Sequence, residues 1–345
     1  MTDTLSSTEA DIPLAEVLRG GRVESLHYGS VAIVDDTGRV VLSLGDTETP
    51  VYPRSTTKAL QALPLVESGA ADHYGLSDQE LALACASHGG EPEHTAAARR
   101  MLEHTGRDET SLECGVHWPT NAAATRALAA SGIEPRALHN NCSGKHAGFI
   151  CTACAEHLDP TGYIAPDHPV MRRVTQTLAE MTGVPHTDAN RGTDGCSIPT
   201  YAIPLRALAL AFARFGTGKT LSADRSASAD RLRKAVAAAP FMVSGTGGFD
   251  TLVMQELGTK AFTKIGAEGV LIASLPQSGL GIAIKCHDGA LRGAEAAMAS
   301  LLQCFGGTEL AASPILQSLT RKELRNWNGI HVGEIRAASG LNKPR

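Results

Sequence analysis

Ser55 and Lys58 stand three residues apart in Pro53-Arg54-Ser55-Thr56-Thr57-Lys58. On a helix, that spacing puts both side chains on one face. A lysine so placed can take the serine proton and turn the hydroxyl into a nucleophile, the Ser-x-x-Lys arrangement of serine acylases. Pro53 keeps Tyr52 extended, Ser55 is a good N-cap, and Ala59, Leu60, Leu63 and Val66 recur at helical spacing. The stretch therefore reads as a helix entered at Ser55. The positive end of the helix dipole disfavours a second positive charge, which suits a lysine acting as a base. A bland alternative is an N-cap serine followed by an exposed lysine, since so short a motif arises by chance.

Four further stretches carry reactive groups. In Cys85-Ala86-Ser87-His88-Gly89-Gly90, a serine leaves a helix just before two glycines, where a ligand can come close. Adjacent side chains rarely face each other, so Ser87 and His88 do not read as a catalytic pair. His139-Asn140-Asn141-Cys142-Ser143-Gly144-Lys145-His146 is dense in polar groups ahead of an apolar helix. Asn141 suits an amide or carboxylate, and Cys142 with the distant Cys196 suits a metal. Spacing alone would make His146 the next ligand. Asp194, in Thr193-Asp194-Gly195-Cys196, suits a substrate ammonium, or is a plain turn acid. Lys264-Ile265-Gly266 beside a strand resembles the Lys-Thr-Gly element of Ser-x-x-Lys enzymes. Its bland reading is an exposed lysine before a hairpin turn. Ser244-Gly245-Thr246-Gly247-Gly248 is a candidate source of backbone N–H groups for an oxyanion. Cys151-Thr152-Ala153-Cys154 lacks a second pair and lies on an apolar helix, so it reads as core packing.

The elements that must position these groups fall into three parts. Of the 345 residues 43% are hydrophobic and 19% charged, ample for a large core. Net charge is −5 and only 4% of residues are aromatic, which argues against nucleic-acid binding. No apolar run is long enough to cross a membrane, and no targeting segment is visible, so a cytoplasmic location is expected. The eight cysteines then read as thiols or ligands rather than disulfides. Residues 1–12 read as a disordered tail. Strands are expected at 14–20, 23–26, 29–35 and 40–44, and again at 262–267, 269–275 and 281–287, with a last one within 327–337. Between 55 and 239 the pattern is helical, including one long buried helix from Pro199 to Phe215; Phe241 to Gly248 reads as a strand leading into a loop. The expected fold is α+β: one antiparallel sheet built from both chain ends, flanked by helices. A single two-lobed domain follows, with a sheet lobe over about 13–54 and 240–340 and a helical lobe over about 55–239.

Taken in order, these stretches resemble the class 3, rhizobial-type L-asparaginases, the asparaginase II family. The likeness runs from about Val23 to Arg336 and is most specific at Asn140-Asn141-Cys142-Ser143-Gly144-Lys145-His146-Ala147-Gly148. The resemblance implies a fold like the serine β-lactamases and penicillin-binding proteins. It implies Ser55 as nucleophile with Lys58 as its base, and Ser87 as a second serine paired with Lys264. It also implies a zinc ion held by Cys142, Lys145 and Cys196; Lys145 enters only through the resemblance, because a lysine must lose its proton to bind metal. Arg54, Asn141, His146, Asp194 and Gly245 are the expected substrate contacts. The implied activity is hydrolysis of L-asparagine to L-aspartate and ammonia by a cytoplasmic homodimer. The rivals are a glutaminase or other serine amidohydrolase on the same scaffold, and a zinc-dependent amino-acid-binding protein without turnover.

Overall fold

Ile12–Arg19 (β1) and Arg22–Asp35 (β2) pair antiparallel across a Gly20-Gly21 turn in this computed structural model, which describes residues 11–342. Both glycines have positive φ, as a two-residue hairpin turn demands. β2 then pairs with Val40–Leu44 (β3) and, along its second half, with a strand from the far end of the chain. The small hairpin Arg191–Thr193 (β4) and Pro199–Tyr201 (β5) stands apart. Phe262–Ile265 (β6), Val270–Leu275 (β7) and Leu280–Cys286 (β8) form a meander. Arg321–Arg325 (β9) and His331–Ala337 (β10) close the series. The main sheet has the order β6-β7-β8-β2-β1-β10-β9, with β3 also on β2. It is antiparallel and drawn from both chain ends, as expected.

Alternation along β2 explains how one sheet serves two cores. Val31 and Ile33 face the helices Phe249–Leu257 and Leu291–Phe305. Ala32 and Val34 face the helical part, including Leu205–Thr217 with Leu208, Phe212 and Phe215. That helical part carries the segments of interest. Asp78–Ala84 begins in a capping box, with Ser77 N–H donating to Glu80 Oε2 at 2.9 Å; a cap of this kind stabilises a helix by about 1 kcal/mol. The C-terminal exit of this helix presents Ser87. Helix Ser143–Ala155 packs against it closely because residue 144 is glycine: a Cβ there would lie 2.3 Å from Leu83 Cγ. This contact brings Asn141 and Cys142 beside Ser87.

The sequence reading differs from the fold in several places. Residues 1–10 of the expected tail lie outside the described residues, and Ile12 already starts β1. The strands expected at 23–26 and 29–35 are one strand. The expected Pro199–Phe215 helix is split, because Pro199–Tyr201 is β5 and Pro204 caps a helix that starts only at Leu205. Phe241–Ser244 is a short helical turn, not a strand. The last expected strand is the hairpin β9–β10. No helix among the described residues is long and apolar enough to cross a membrane.

Candidate active site

Arg54–Thr57 forms a 3-10 turn, followed by the short α-helix Lys58–Gln61. Ser55 is therefore the second residue of a tight turn rather than the N-cap of a long helix. Pro64 and a break at Ala62 interrupt the expected run. Arg54 has φ +50, a left-handed conformation that costs a non-glycine residue about 1–3 kcal/mol and recurs at functional turns. β6 supports the turn from outside, and a Cβ at Gly266 would meet Pro53 O at 2.9 Å. Ser55 faces a cavity of about 210 Å³ whose walls include Arg54, His117, Asn141, Asp194 and Cys196. Ser55 Oγ has no hydrogen-bond partner among the described residues. A larger cavity of about 410 Å³ beside helix Ala122–Ala130 is lined by Pro119, Ala124 and Leu128 together with Glu91, Thr95 and His139, and holds no serine–lysine pair.

Lys58 is almost completely buried, and its Nζ donates to three oxygens: Ala86 O at 2.5 Å, Ser87 Oγ at 2.9 Å and Asn141 O at 3.3 Å. The lysine thus spans the exit of one helix and the entrance of another. This pairing differs from the expectation. Lys58 contacts Ser87, because the backbone carbonyls of Ala86 and Asn141 draw its head towards that side. Among the described residues no hydrogen bond joins Lys264 to Ser87. Lys264 lies fully buried on β6, where Nζ donates to Ile265 O at 2.8 Å and lies 3.6 Å from Asp250 Oδ2. Burial lowers the Lys264 pKa to about 8; Asp250 holds it up and Lys58 pushes it down. An amine with that pKa titrates where a general base is useful.

Asn140 fixes the following loop. Its Oδ1 accepts Cys142 N–H at 2.9 Å, and its Nδ2 donates to Cys114 O at 2.9 Å. His117, which sequence reasoning did not single out, lines the cavity. Its Nε2 accepts Asn141 N–H at 2.9 Å while Nδ1 donates to Trp118 O at 2.6 Å. No motif surrounds it; only its place beside Asn141 marks it. His146 was expected to grip substrate, but it does not line the cavity. It sits in the core against Tyr163, whose OH is 2.6 Å from Nδ1, and burial with Lys145 and Lys58 nearby holds the ring well below its usual pKa. Its ring packs against Phe149 and Tyr163 in the helical core. His88 likewise faces inward, bonded to Ser143 Oγ at 2.9 Å.

Asp194 lies in the loop joining β4 to β5, where Ser197 also has a positive φ of 74. Arg54 Nε donates to Asp194 Oδ1 at 2.7 Å. Burial opposes its charge, but Lys145 and Arg54 outweigh burial and hold Asp194 below the usual carboxylate range. Gly245 does not line the cavity. It packs against Glu91 and His94, and its N–H is already donated to Phe241 O at 2.9 Å, so it has no free donor for an oxyanion. Glu91 ties the neighbouring Thr246 N–H at 2.9 Å.

Cys142, Lys145 and Cys196 converge in the buried wall of the same cavity, with Lys145 Nζ 3.0 Å from Cys196 Sγ. A hydrogen bond from Cys196 draws the Cys142 thiol well below its usual pKa against burial, helped by Lys145. Burial works against the Lys145 charge, yet Cys142, Cys196 and Asp194 outweigh it and hold the ammonium. Two thiol sulfurs and an amine are a donor set that fits zinc, at the expense of that lysine proton. A separate cluster, His27, Cys286 and Asp288, brings its ligand atoms within 4.8 Å of one another. There Arg292 Nε donates to His27 Nε2 at 3.0 Å, which leaves the ring proton on Nδ1, facing Asp288 Oδ2 at 2.6 Å. It is a hydrogen-bonded clasp between β2, β8 and the helix Leu291–Phe305.

The sequence matches the profile of L-asparaginase II over residues 15–337. The chain belongs to the L-asparaginase II family. No curated protein matches the sequence. Solved structures that overlap it include Mglu in its native form, with 16% identity, TM-score 0.46 and coverage of 80% of this chain; the chain spans 64% of that protein's length. A β-lactamase from Mycobacterium bovis overlaps at 16% identity and TM-score 0.43, covering 79% of this chain and 93% of its own. The D-alanine carboxypeptidase AmpC from Burkholderia cenocepacia overlaps at 14% identity and TM-score 0.38, over 79% of this chain and 93% of its own.

Proposed function

We propose that the protein is an L-asparaginase that hydrolyses L-asparagine to L-aspartate and ammonia through a serine acyl-enzyme. The observation that carries this reading is the buried Lys58 amine, 2.9 Å from Ser87 Oγ and one turn from the unpartnered Ser55 hydroxyl. The Arg54 guanidinium and the Asp194 carboxylate offer one positive and one negative group in one wall. Together they suit the α-carboxylate and α-ammonium of a small amino acid, with Asn141 beside them. The side-chain amide carbon then lies over Ser55.

In the proposed reaction Lys58 acts as a neutral amine. It gives up one of its three donor contacts, and the contact with Ser87 Oγ is the one that can reverse, with oxygen donating to nitrogen. Lys58, directly or through Ser87, takes the Ser55 proton as Oγ forms its bond to the amide carbon. The Ser55 N–H, one of the orphan donors of a helix start, faces the oxyanion. The proton passes to the leaving nitrogen as the C–N bond breaks and ammonia departs. Water then cleaves the ester by the reverse proton path and releases aspartate.

Ammonia release from asparagine and glutamine, and the absorbance change on opening a chromogenic β-lactam, test the substrate. Turnover of asparagine at least about tenfold above the others is expected, a discrimination worth about 1.4 kcal/mol. Preferred turnover of either rival overturns the substrate, and asparagine binding without turnover overturns the enzyme reading. A homodimer and a cytoplasmic location belong to the same proposal, supported by the resemblance to the family.

Zinc at Cys142, Lys145 and Cys196 is part of the proposal. When bound, the ion would tie the Asn141–Cys142 loop to the Asp194–Cys196 loop and add positive charge beside the substrate. Metal analysis of protein purified without chelator is expected to give about one zinc per chain, and Cys142→Ser to lose it. Because Lys145 must shed its proton, affinity is expected to rise with pH. Metal-free wild-type protein at pH 8 with added zinc present would overturn the assignment.

A further inference from the structure

Asp250 opens the helix Phe249–Leu257 beneath β6. Its carboxylate and the Lys264 amine are both fully buried, 3.6 Å apart. Asp250 Oδ2 also accepts Ile265 N–H at 3.0 Å, and Lys264 Nζ donates to Ile265 O at 2.8 Å. The three groups form a closed clasp at one end of β6. Asp250 Oδ1 has no hydrogen-bond partner among the described residues.

Stability alone does not account for such a pair. Removing two charges from water is costly, and an apolar pair of similar volume packs at least as well. The end of β6 abuts the Ser55 turn, where Gly266 meets Pro53 and Thr56. We propose that Asp250 is a positioning residue: through this buried ion pair it holds the Lys264 amine behind the serine pocket. The inference rests on the serine acyl-enzyme reading and adds to it a part for Lys264 in proton transfer beside the Lys58–Ser87 path.

The surroundings fit that role. Burial lowers the Lys264 pKa, Asp250 raises it, Lys58 lowers it again, and Cys142 raises it. Cys85, a thiol that burial pushes up to about 12, lies on the same side. Glu295, on the helix Leu291–Phe305, adds negative charge near Asp250, and burial pushes its own pKa up to about 7. Without the Asp250 charge, Lys264 keeps its burial and its repulsion from Lys58 but loses its counter-charge. Its proton then leaves at lower pH, and nothing but Ile265 O holds the amine.

The test is the pH dependence of asparagine hydrolysis by wild type, Asp250→Asn, Lys264→Met and the double variant. Asp250→Asn keeps an acceptor for Ile265 N–H. Its acid limb is expected to move down by about one pH unit, and its plateau kcat to fall by about tenfold or more with KM within about twofold. Added to Lys264→Met, the same substitution is expected to cost nothing further in kcat. An unmoved limb and plateau in Asp250→Asn, with Lys264→Met inactive, overturn this inference alone. An equal loss in both backgrounds does the same, because a merely structural role acts with or without the lysine. Wild-type kcat in Lys264→Met overturns the role of the lysine and the inference with it. If Asp250→Asn fails to fold alone, thermal midpoints decide. The double variant is expected to melt above Lys264→Met, whose carboxylate is left unpaired, and no recovery overturns the pairing.

Discussion

Lys58→Arg and Lys58→Met are both expected to lose asparagine turnover by about 10³-fold or more, within the range that a lost general base and nucleophile activator produces. They lose it for one shared reason and disturb the fold for opposite ones. Arginine keeps a positive charge that can donate to Ala86 O, Ser87 Oγ and Asn141 O. It does not give up its proton at any working pH. It is also larger than the buried site, and overpacking costs about 1–3 kcal/mol. Methionine fits the volume but leaves the Ala86 carbonyl without its lysine donor, at about 1–3 kcal/mol, whereas Asn141 O keeps the His88 N–H at 3.3 Å. Thermal melting separates these stability effects from chemistry. Ammonia release at saturating asparagine reads the chemistry. Turnover within tenfold of wild type in either folded variant would falsify the role of Lys58 as base.

How much of this arrangement could be read from sequence depended on its range. The strands alternate or run apolar over five residues or so, and Asp36-Thr37-Gly38 marks one turn, so β1, β3, β7 and β8 were legible, whereas β2 read as two strands and Gly20 as strand rather than turn. Helices with local caps were legible too, such as the one begun by Ser77. Pro199–Tyr201 was not, because its apolar residues continue into the helix that follows and only its pairing with Arg191–Thr193 makes it a strand. At the site, types and spacing marked Ser55, Lys58, Ser87, Asn141 and Asp194 as candidates. Partners across the fold were invisible. Lys58 meets Ser87 at a separation of 29 residues, and Lys264 meets Asp250 only because β6 crosses a helix start. His117 reaches Asn141 through a loop with no periodic signal. His146 was expected at the substrate, but its partner is Tyr163, 17 residues on, a pairing that leaves no local signal.

Ser55→Ala and Ser87→Ala are expected to fail differently. Ser55 lines the cavity with a free hydroxyl and follows a residue held at φ +50. Strain of that kind, about 1–3 kcal/mol per residue, persists when the surrounding structure fixes a side chain in place. Ser87 Oγ is instead engaged by Lys58 behind it. Ser55→Ala should therefore abolish formation of an aspartyl ester and lower turnover by about 10⁴-fold or more, as loss of a nucleophile does. Ser87→Ala should slow the reaction by about 10²- to 10³-fold, the scale of a lost proton relay, while acylation of Ser55 persists. Mass spectrometry of protein quenched during turnover reads which serine carries the ester. The opposite result, an ester on Ser87 in wild type and in Ser55→Ala, would make Lys58–Ser87 the nucleophilic pair. Ser55 would then be the residue that delivers the proton. The 2.9 Å contact favours that second assignment, and access to the cavity favours the first. Access decides, because a nucleophile must touch the amide carbon while a base need only reach the nucleophile's proton.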